Sequence, residues 1–107
     1  MIQSVFAPFG SGVVVEGTGI LLNNRMLGFN TRPGSPNCLA PGKRPAMTLT
    51  ACMLLREERP WVVFGTPGGD AQVQTNFQLA VDLVDFGMNV QEAIECPRWL
   101  HSGPGLQ

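Results

Sequence analysis

Charge is what this sequence has least of. Only 14% of its 107 residues are charged while 44% are hydrophobic, where soluble domains carry roughly a quarter charged residues. A chain this apolar is expected to present faces that other elements cover. The net charge of −1, with no basic run beyond Lys43–Arg44, excludes the electrostatic footprint of a nucleic-acid binder. Histidine is down to a single residue, His101, and Cys38, Cys52 and Cys96 lie far apart without a CxxC spacing. No metal cage is expected from such a set, no cofactor is indicated, and buried free thiols are the ordinary reading. No apolar run approaches the ~18 residues of a membrane-spanning helix. The opening "MIQSVFAPFGSG" has neither the basic nor the apolar region of a signal peptide. A periplasmic, secreted or cytoplasmic location is equally compatible with that.

What is present reads as strands first, then helices. Val13–Val15 and Ile20–Leu22 flank "EGTG", a glycine spacing that predicts a hairpin or sharp bend. Residues 30–46 hold prolines and glycines without periodicity, and a loop this long inside a compact domain often serves function. "MTLTACMLL" and "PWVVFG" read as two apolar strands turning at "REER". Because they barely alternate, the sheet is expected to be covered on both faces. From Val73 the period changes to that of a helix, with Phe77, Ala80, Val81, Val84 and Met88 on one stripe expected to pack in the core. Gly87 suits a left-handed cap. Asn89 and Glu92 have capping-box spacing for a shorter second helix that Pro97 stops.

Between the strands and the first helix stands "FGTPGGDAQVQTN". Gly68 and Gly69 admit two readings there. One is a tight turn requiring a positive φ angle. The other is a backbone kept bare so that its N–H groups reach a developing oxyanion.

Taken in order, "FGSGVVVEGTGILLNNRMLGF", "NCLAPGKRPAMTLT" and "FGTPGGDAQVQTNFQLAVDLVDFGMNVQEAIECPRW" resemble the small subunit of the gamma-glutamyltranspeptidase family over roughly residues 2–99. The resemblance implies an α/β (α+β) class chain that forms part of a four-layered α-β-β-α N-terminal-nucleophile hydrolase fold. It also implies a proenzyme that cuts itself to expose a threonine. That hydroxyl attacks a γ-glutamyl amide, its own α-amine can act as base, and the acyl-enzyme passes to water or an acceptor amine.

Within that resemblance Gly68 and Gly69 match the glycine pair of the oxyanion hole. Ser4 falls where the family has a hydroxyl residue near the nucleophile. Thr48 matches the second of two serines that bind the glutamyl α-carboxylate, while Met47, at the first, has no hydroxyl. The acidic residue for the substrate α-amine falls at Gly28, the neighbouring polar position at Arg25, and an asparagine at Phe6. These departures place the chain nearer the family's divergent glutamyltransferase-like acylases. Simpler roles stand beside each assignment: a surface salt bridge for Arg25, a strand hydroxyl for Thr48, a strand end for Asn23 and Asn24, a helix N-cap for Asp70, and solvent exposure for His101.

As a whole, residues 1–107 read as a partial small-subunit domain, with strands and loop to about residue 67 and helices over about 70–97. The nucleophile strand and large subunit are expected upstream of Ile2, and the last strands and helix beyond "CPRW". None of Thr18, Thr31, Thr48, Thr50, Thr66 and Thr75 is terminal, so no turnover is expected from these residues alone. The expected partners are the large subunit, the rest of the small subunit, and a small-molecule γ-glutamyl or other acyl amide. Three readings follow: a segment of a γ-glutamyl transferase or hydrolase, a segment of a related acylase or amidase with a non-glutamyl donor, or a catalytically inactive piece.

Overall fold

β-branched and aliphatic runs broken by glycine give short antiparallel pairs here, and amide-rich sequence gives the main helix. The computed structural model describes residues 3–103, with strands and helices in an α+β arrangement. The chain divides into two units, Gln3–Met47 and the stretch from Thr48 onward.

In the first unit, β1 (Val14–Val15) pairs antiparallel with β2 (Ile20–Leu21), Val14 opposite Leu21. This is the hairpin that the glycines around Glu16 predict. Its base is tied by Ser11 N–H to the Leu22 carbonyl at 2.9 Å and by Leu22 N–H to the Val13 carbonyl at 2.9 Å. A 3-10 turn, Arg25–Gly28, follows. The proline-rich stretch beyond it is loop, with a bridge between Asn30 and Cys38 and further ties such as Asn30 Nδ2 donating to Ser35 Oγ at 2.9 Å.

In the second unit, β3 (Ala51–Arg56) and β4 (Arg59–Gly65) form a hairpin. β3 begins at Ala51 rather than at Met47, because the backbone of Thr50 is engaged by a helix instead of a strand. Pro60 has no N–H to give the ladder, and the register slips between Leu54 and Leu55, so Leu54 faces Val62 while Leu55 faces Pro60. The turn falls on Glu57 and Glu58, with φ of 50° and 62°. Cys52, Leu54, Val62 and Phe64 are half-buried, whereas Met53, Leu55 and Val63 are exposed. Among the described residues one face is covered, and the other, with Met53, Leu55 and Val63, is the face on which the expected second cover would lie. The near-absence of alternation reflects apolar side chains on the open face too.

The helix α1 (Gln72–Val84) follows a 3-10 turn at Gly69–Ala71, and α2 (Val90–Glu95) follows α1. Gly87 (φ 66°) lets Met88 N–H return to the Asp82 carbonyl at 3.0 Å. The capping box on α2 is complete, with Glu92 N–H donating to Asn89 Oδ1 at 3.0 Å and Asn89 N–H to Glu92 Oε2 at 2.8 Å. Leu79 and Leu83 of α1 and Ala93 and Ile94 of α2 line an apolar pocket with Val62 and Phe64.

Among the described residues the expected core stripe of α1 is not its buried face. Phe77 is 63% exposed, Val73 and Val84 are also exposed, and Ala80, Val81 and Met88 are only half-buried, while Gln72, Asn76, Gln78 and Asp82 are buried. Hydrogen bonding explains the inversion. Gln74 and Gln78 each pair reciprocally with the backbone of His101 and Trp99, through four bonds of 2.9–3.0 Å, so amide side chains stand in for a neighbouring strand. Buried polar groups hold their place only when so partnered. The three cysteines are free and half-buried rather than fully buried. No helix among the described residues is long and apolar enough to cross a membrane.

Candidate active site

The turn at Gly68–Gly69 forms because Thr66–Pro67 ends the extended run of β4 and α1 must start at an angle to it. Gly68 has φ 129° and Gly69 φ 56°, both in the range where side chains are disfavoured. Ala71 N–H closes the turn on the Gly68 carbonyl at 3.0 Å, and Gln72 N–H bonds the Gly69 carbonyl. Among the described residues no hydrogen bond uses the N–H of Gly68 or of Gly69. A Cβ added at Gly69 would meet no atom within 4 Å. Two donors at the start of a helix, the Gly69 one in open space, are suited to an anion. Asp70, expected to cap the helix, makes no such bond: neither the 3-10 turn nor α1 has a side-chain cap. It lies inside the 3-10 turn rather than ahead of it, so its position can complement the helix dipole only.

Thr48 belongs to the same unit and is half-buried. Its carbonyl accepts the Thr50 hydroxyl at 3.3 Å. Thr50 in turn is held by α1, its N–H donating to Gln72 Oε1 at 3.0 Å and its carbonyl accepting from Asn76 Nδ2 at 3.2 Å. The structure thus links Gly68, Gly69 and Thr48 through α1. Gln72 and Asn76 were not singled out in the sequence. The signal was there: amide side chains recur through "QVQTNFQ", which the apolar stripe overshadowed. Asn76 is 3% exposed and its Oδ1 has no donor among the described residues.

Ser4, Phe6, Asn23, Asn24, Arg25, Gly28 and Met47 lie in the first unit. Ser4 is exposed and its Oγ accepts Phe6 N–H at 2.9 Å, bending the chain where Phe6 takes φ 79°. Asn24 ties this bend down: its Oδ1 accepts Ala7 N–H at 2.9 Å and its N–H donates to the Val5 carbonyl at 3.2 Å. Asn23 Oδ1 accepts Arg25 N–H at 3.0 Å, so both asparagines shape the backbone. Arg25 is 6% exposed, and its guanidinium stands 5.1 Å from the Phe6 ring centroid, within cation–π range. A surface salt bridge does not describe so buried a group. Ser4 and Arg25 are thereby brought into one local arrangement. Gly28 ends the 3-10 turn, its carbonyl accepting from Asn37 Nδ2, and a Cβ there would meet open space. Met47, at the end of this unit, is 65% exposed. His101 is exposed, and its backbone rather than its ring is engaged by α1.

An α+β chain whose hairpin hands over to a helix through two bare glycines, with both N–H groups unclaimed, defines a class of segment and not yet a family. The family model described as gamma-glutamyltranspeptidase matches residues 1–105, and the chain belongs to that family. It is 37% identical to the glutathione hydrolase proenzyme of Escherichia coli, over 87% of this chain and 18% of that protein. To the oxamate amidohydrolase proenzyme of Klebsiella pneumoniae it is 41% identical, over 92% of this chain and 19% of that one. The solved cephalosporin acylase of Bacillus halodurans superposes with a TM-score of 0.84 at 42% identity, covering 94% of this chain and 19% of its own. The chain thus spans less than a fifth of the length of these relatives, which include glutathione hydrolases and acylases alike.

Proposed function

We propose that this chain supplies the oxyanion turn and part of the acyl pocket of an N-terminal-nucleophile amidase or acyltransferase, within a four-layered α-β-β-α fold completed by the rest of its proenzyme. The substrate is a γ-glutamyl or related acyl amide. A threonine outside these residues forms the acyl-enzyme, which water or an acceptor amine releases. Gly68 and Gly69 stabilise the developing oxyanion, and Thr48 offers a hydroxyl to the far end of the acyl group. Ser4 supports the nucleophile.

The observation that carries this reading is the pair of unclaimed N–H groups at Gly68 and Gly69 on the way into α1. The test is Gly69→Val in the complete proenzyme. A Cβ at this position meets no protein atom within 4 Å, so a side chain there faces the incoming substrate. Its φ of 56° adds backbone strain that lowers the melting temperature under either reading, and turnover is therefore read per folded molecule. Loss of one oxyanion donor costs on the order of 100-fold in kcat, and that fall is expected with little change in KM. A sharp drop in melting temperature with normal turnover per folded molecule means that the glycines serve only the turn.

A specific observation favours the acylase form of this reading. Glu16 is the only acidic residue from Gln3 to Met47, against Arg25, Arg32, Lys43 and Arg44. No carboxylate stands at Gly28 to receive an α-amine, and Met47 offers no hydroxyl. By the resemblance, Arg25 and Gly28 stand where the family reads the α-amine, and that pair suits an anionic acyl group without an amine better than a zwitterionic glutamyl group. Oxamate, named for the Klebsiella relative, is anionic and carries no amine. A glutaryl anilide is therefore expected to turn over at least as fast as the γ-glutamyl anilide, and the opposite order returns the donor to γ-glutamyl.

A further inference from the structure

Gln72 touches both halves of the arrangement in the second unit. Its N–H holds the Gly69 carbonyl, and its side-chain Oε1 accepts Thr50 N–H at 3.0 Å. One helical turn later Asn76 Nδ2 donates to the Thr50 carbonyl at 3.2 Å, so α1 grips both backbone polar groups of one residue. The Thr50 hydroxyl then reaches the Thr48 carbonyl at 3.3 Å. A continuous path of hydrogen bonds runs from the bare turn to Thr48.

Packing alone does not call for these side chains. Apolar residues at 72 and 76 would leave the Thr50 N–H and carbonyl without these partners, while Asn76 itself buries an Oδ1 with no donor among the described residues, which carries a desolvation cost. Hydrogen bonds provide what apolar contact lacks, a fixed direction and length. We infer that Gln72 and Asn76 are positioning residues, setting the separation between the Gly68–Gly69 N–H groups and Thr48 and so the length of acyl group that both can hold at once. The inference rests on the oxyanion and acyl-pocket reading above.

A double-mutant cycle in the complete proenzyme tests it, with kcat/KM on the glutaryl and γ-glutamyl anilides normalised to the acyl-enzyme burst so that only folded sites count. In the parent, Thr48→Ala is expected to lower kcat/KM about tenfold, mostly through KM, because one polar contact to the acyl group is lost. In the Gln72→Met or Asn76→Leu background the same change is expected to cost less than about twofold, as coupled sites are non-additive. Asn76→Leu removes an acceptor that has no donor among the described residues but also leaves the Thr50 carbonyl without its Asn76 partner, so Tm is measured for both backgrounds and the cycle is read in each that folds. Gln74→Met deletes bonds of the same kind to His101 and is expected to lower Tm while leaving the Thr48→Ala effect at its full size. Equal Thr48→Ala costs in every background overturn the positioning role while leaving the pocket reading intact. No Thr48→Ala effect in any background sinks both.

Discussion

Gly28 is the residue at which donor choice is most open to experiment. It lies outside the positive-φ glycines, and a side chain there would meet nothing within 4 Å. The family resemblance puts an acidic residue at this position to hold a substrate α-amine. Gly28→Asp is accordingly expected to fold normally and to raise kcat/KM for a γ-glutamyl anilide relative to a glutaryl anilide about tenfold, the worth of one charge-assisted contact. An unchanged ratio in the folded variant places the amine-reading end of the substrate elsewhere. Gly68 and Gly69 differ from Gly28 because their φ angles of 129° and 56° exclude ordinary side chains on backbone grounds alone.

Among the elements, the β3–β4 hairpin stores strain in its turn. Glu57 and Glu58 sit at φ 50° and 62°, where an L-residue with a Cβ is about 1–2 kcal/mol above its right-handed alternative. The geometry is that of the two-residue turn that favours Asn-Gly. Replacing the pair by Asn-Gly is expected to stabilise the complete protein by about 1 kcal/mol in urea unfolding, without altering KM, since neither side chain is placed in the site. A neutral or destabilising result shows that the like-charged turn has partners in the complete protein. The facing contact of Arg56 with the Trp61 ring, 3.9 Å from its centroid, is retained in either case. Elsewhere local chemistry was directly legible: Asn89, Glu92 and Gly87 predict their caps, and the structure makes them.

For the whole molecule, the governing fact is how little apolar surface these residues bury. Leu83 and Ala93 are the buried hydrophobics among the described residues, while Phe77, Val73, Met53, Val63 and Trp61 are among those exposed. Contiguous apolar exposure marks surfaces that other protein covers. The 107 residues expressed alone are therefore expected to bind a dye such as ANS and to self-associate at micromolar concentration in sedimentation. A monomer with a sharp, cooperative thermal transition and no dye binding contradicts this.

The sequence by itself determined what depends on neighbours along the chain. The hairpin around Glu16, the turn at Glu57–Glu58, the glycine junction at 68–69 and the caps of α1 and α2 each rest on residues within a few positions of one another. The ordered motifs also determined the family. Tertiary structure decided which face of α1 is buried. Hydrophobic periodicity favours Val73, Phe77 and Val84, but the amides of Gln72, Gln74, Asn76 and Gln78 find backbone partners 21 to 27 residues away. Those partners are invisible to any local pattern. The same holds for Arg25, which sequence leaves as a surface cation and which the fold buries over Phe6. Hydrogen bonding and ring contact at long sequence separation are set by how the chain is brought together, and that is why the link from the glycine turn to Thr48 emerged only in three dimensions.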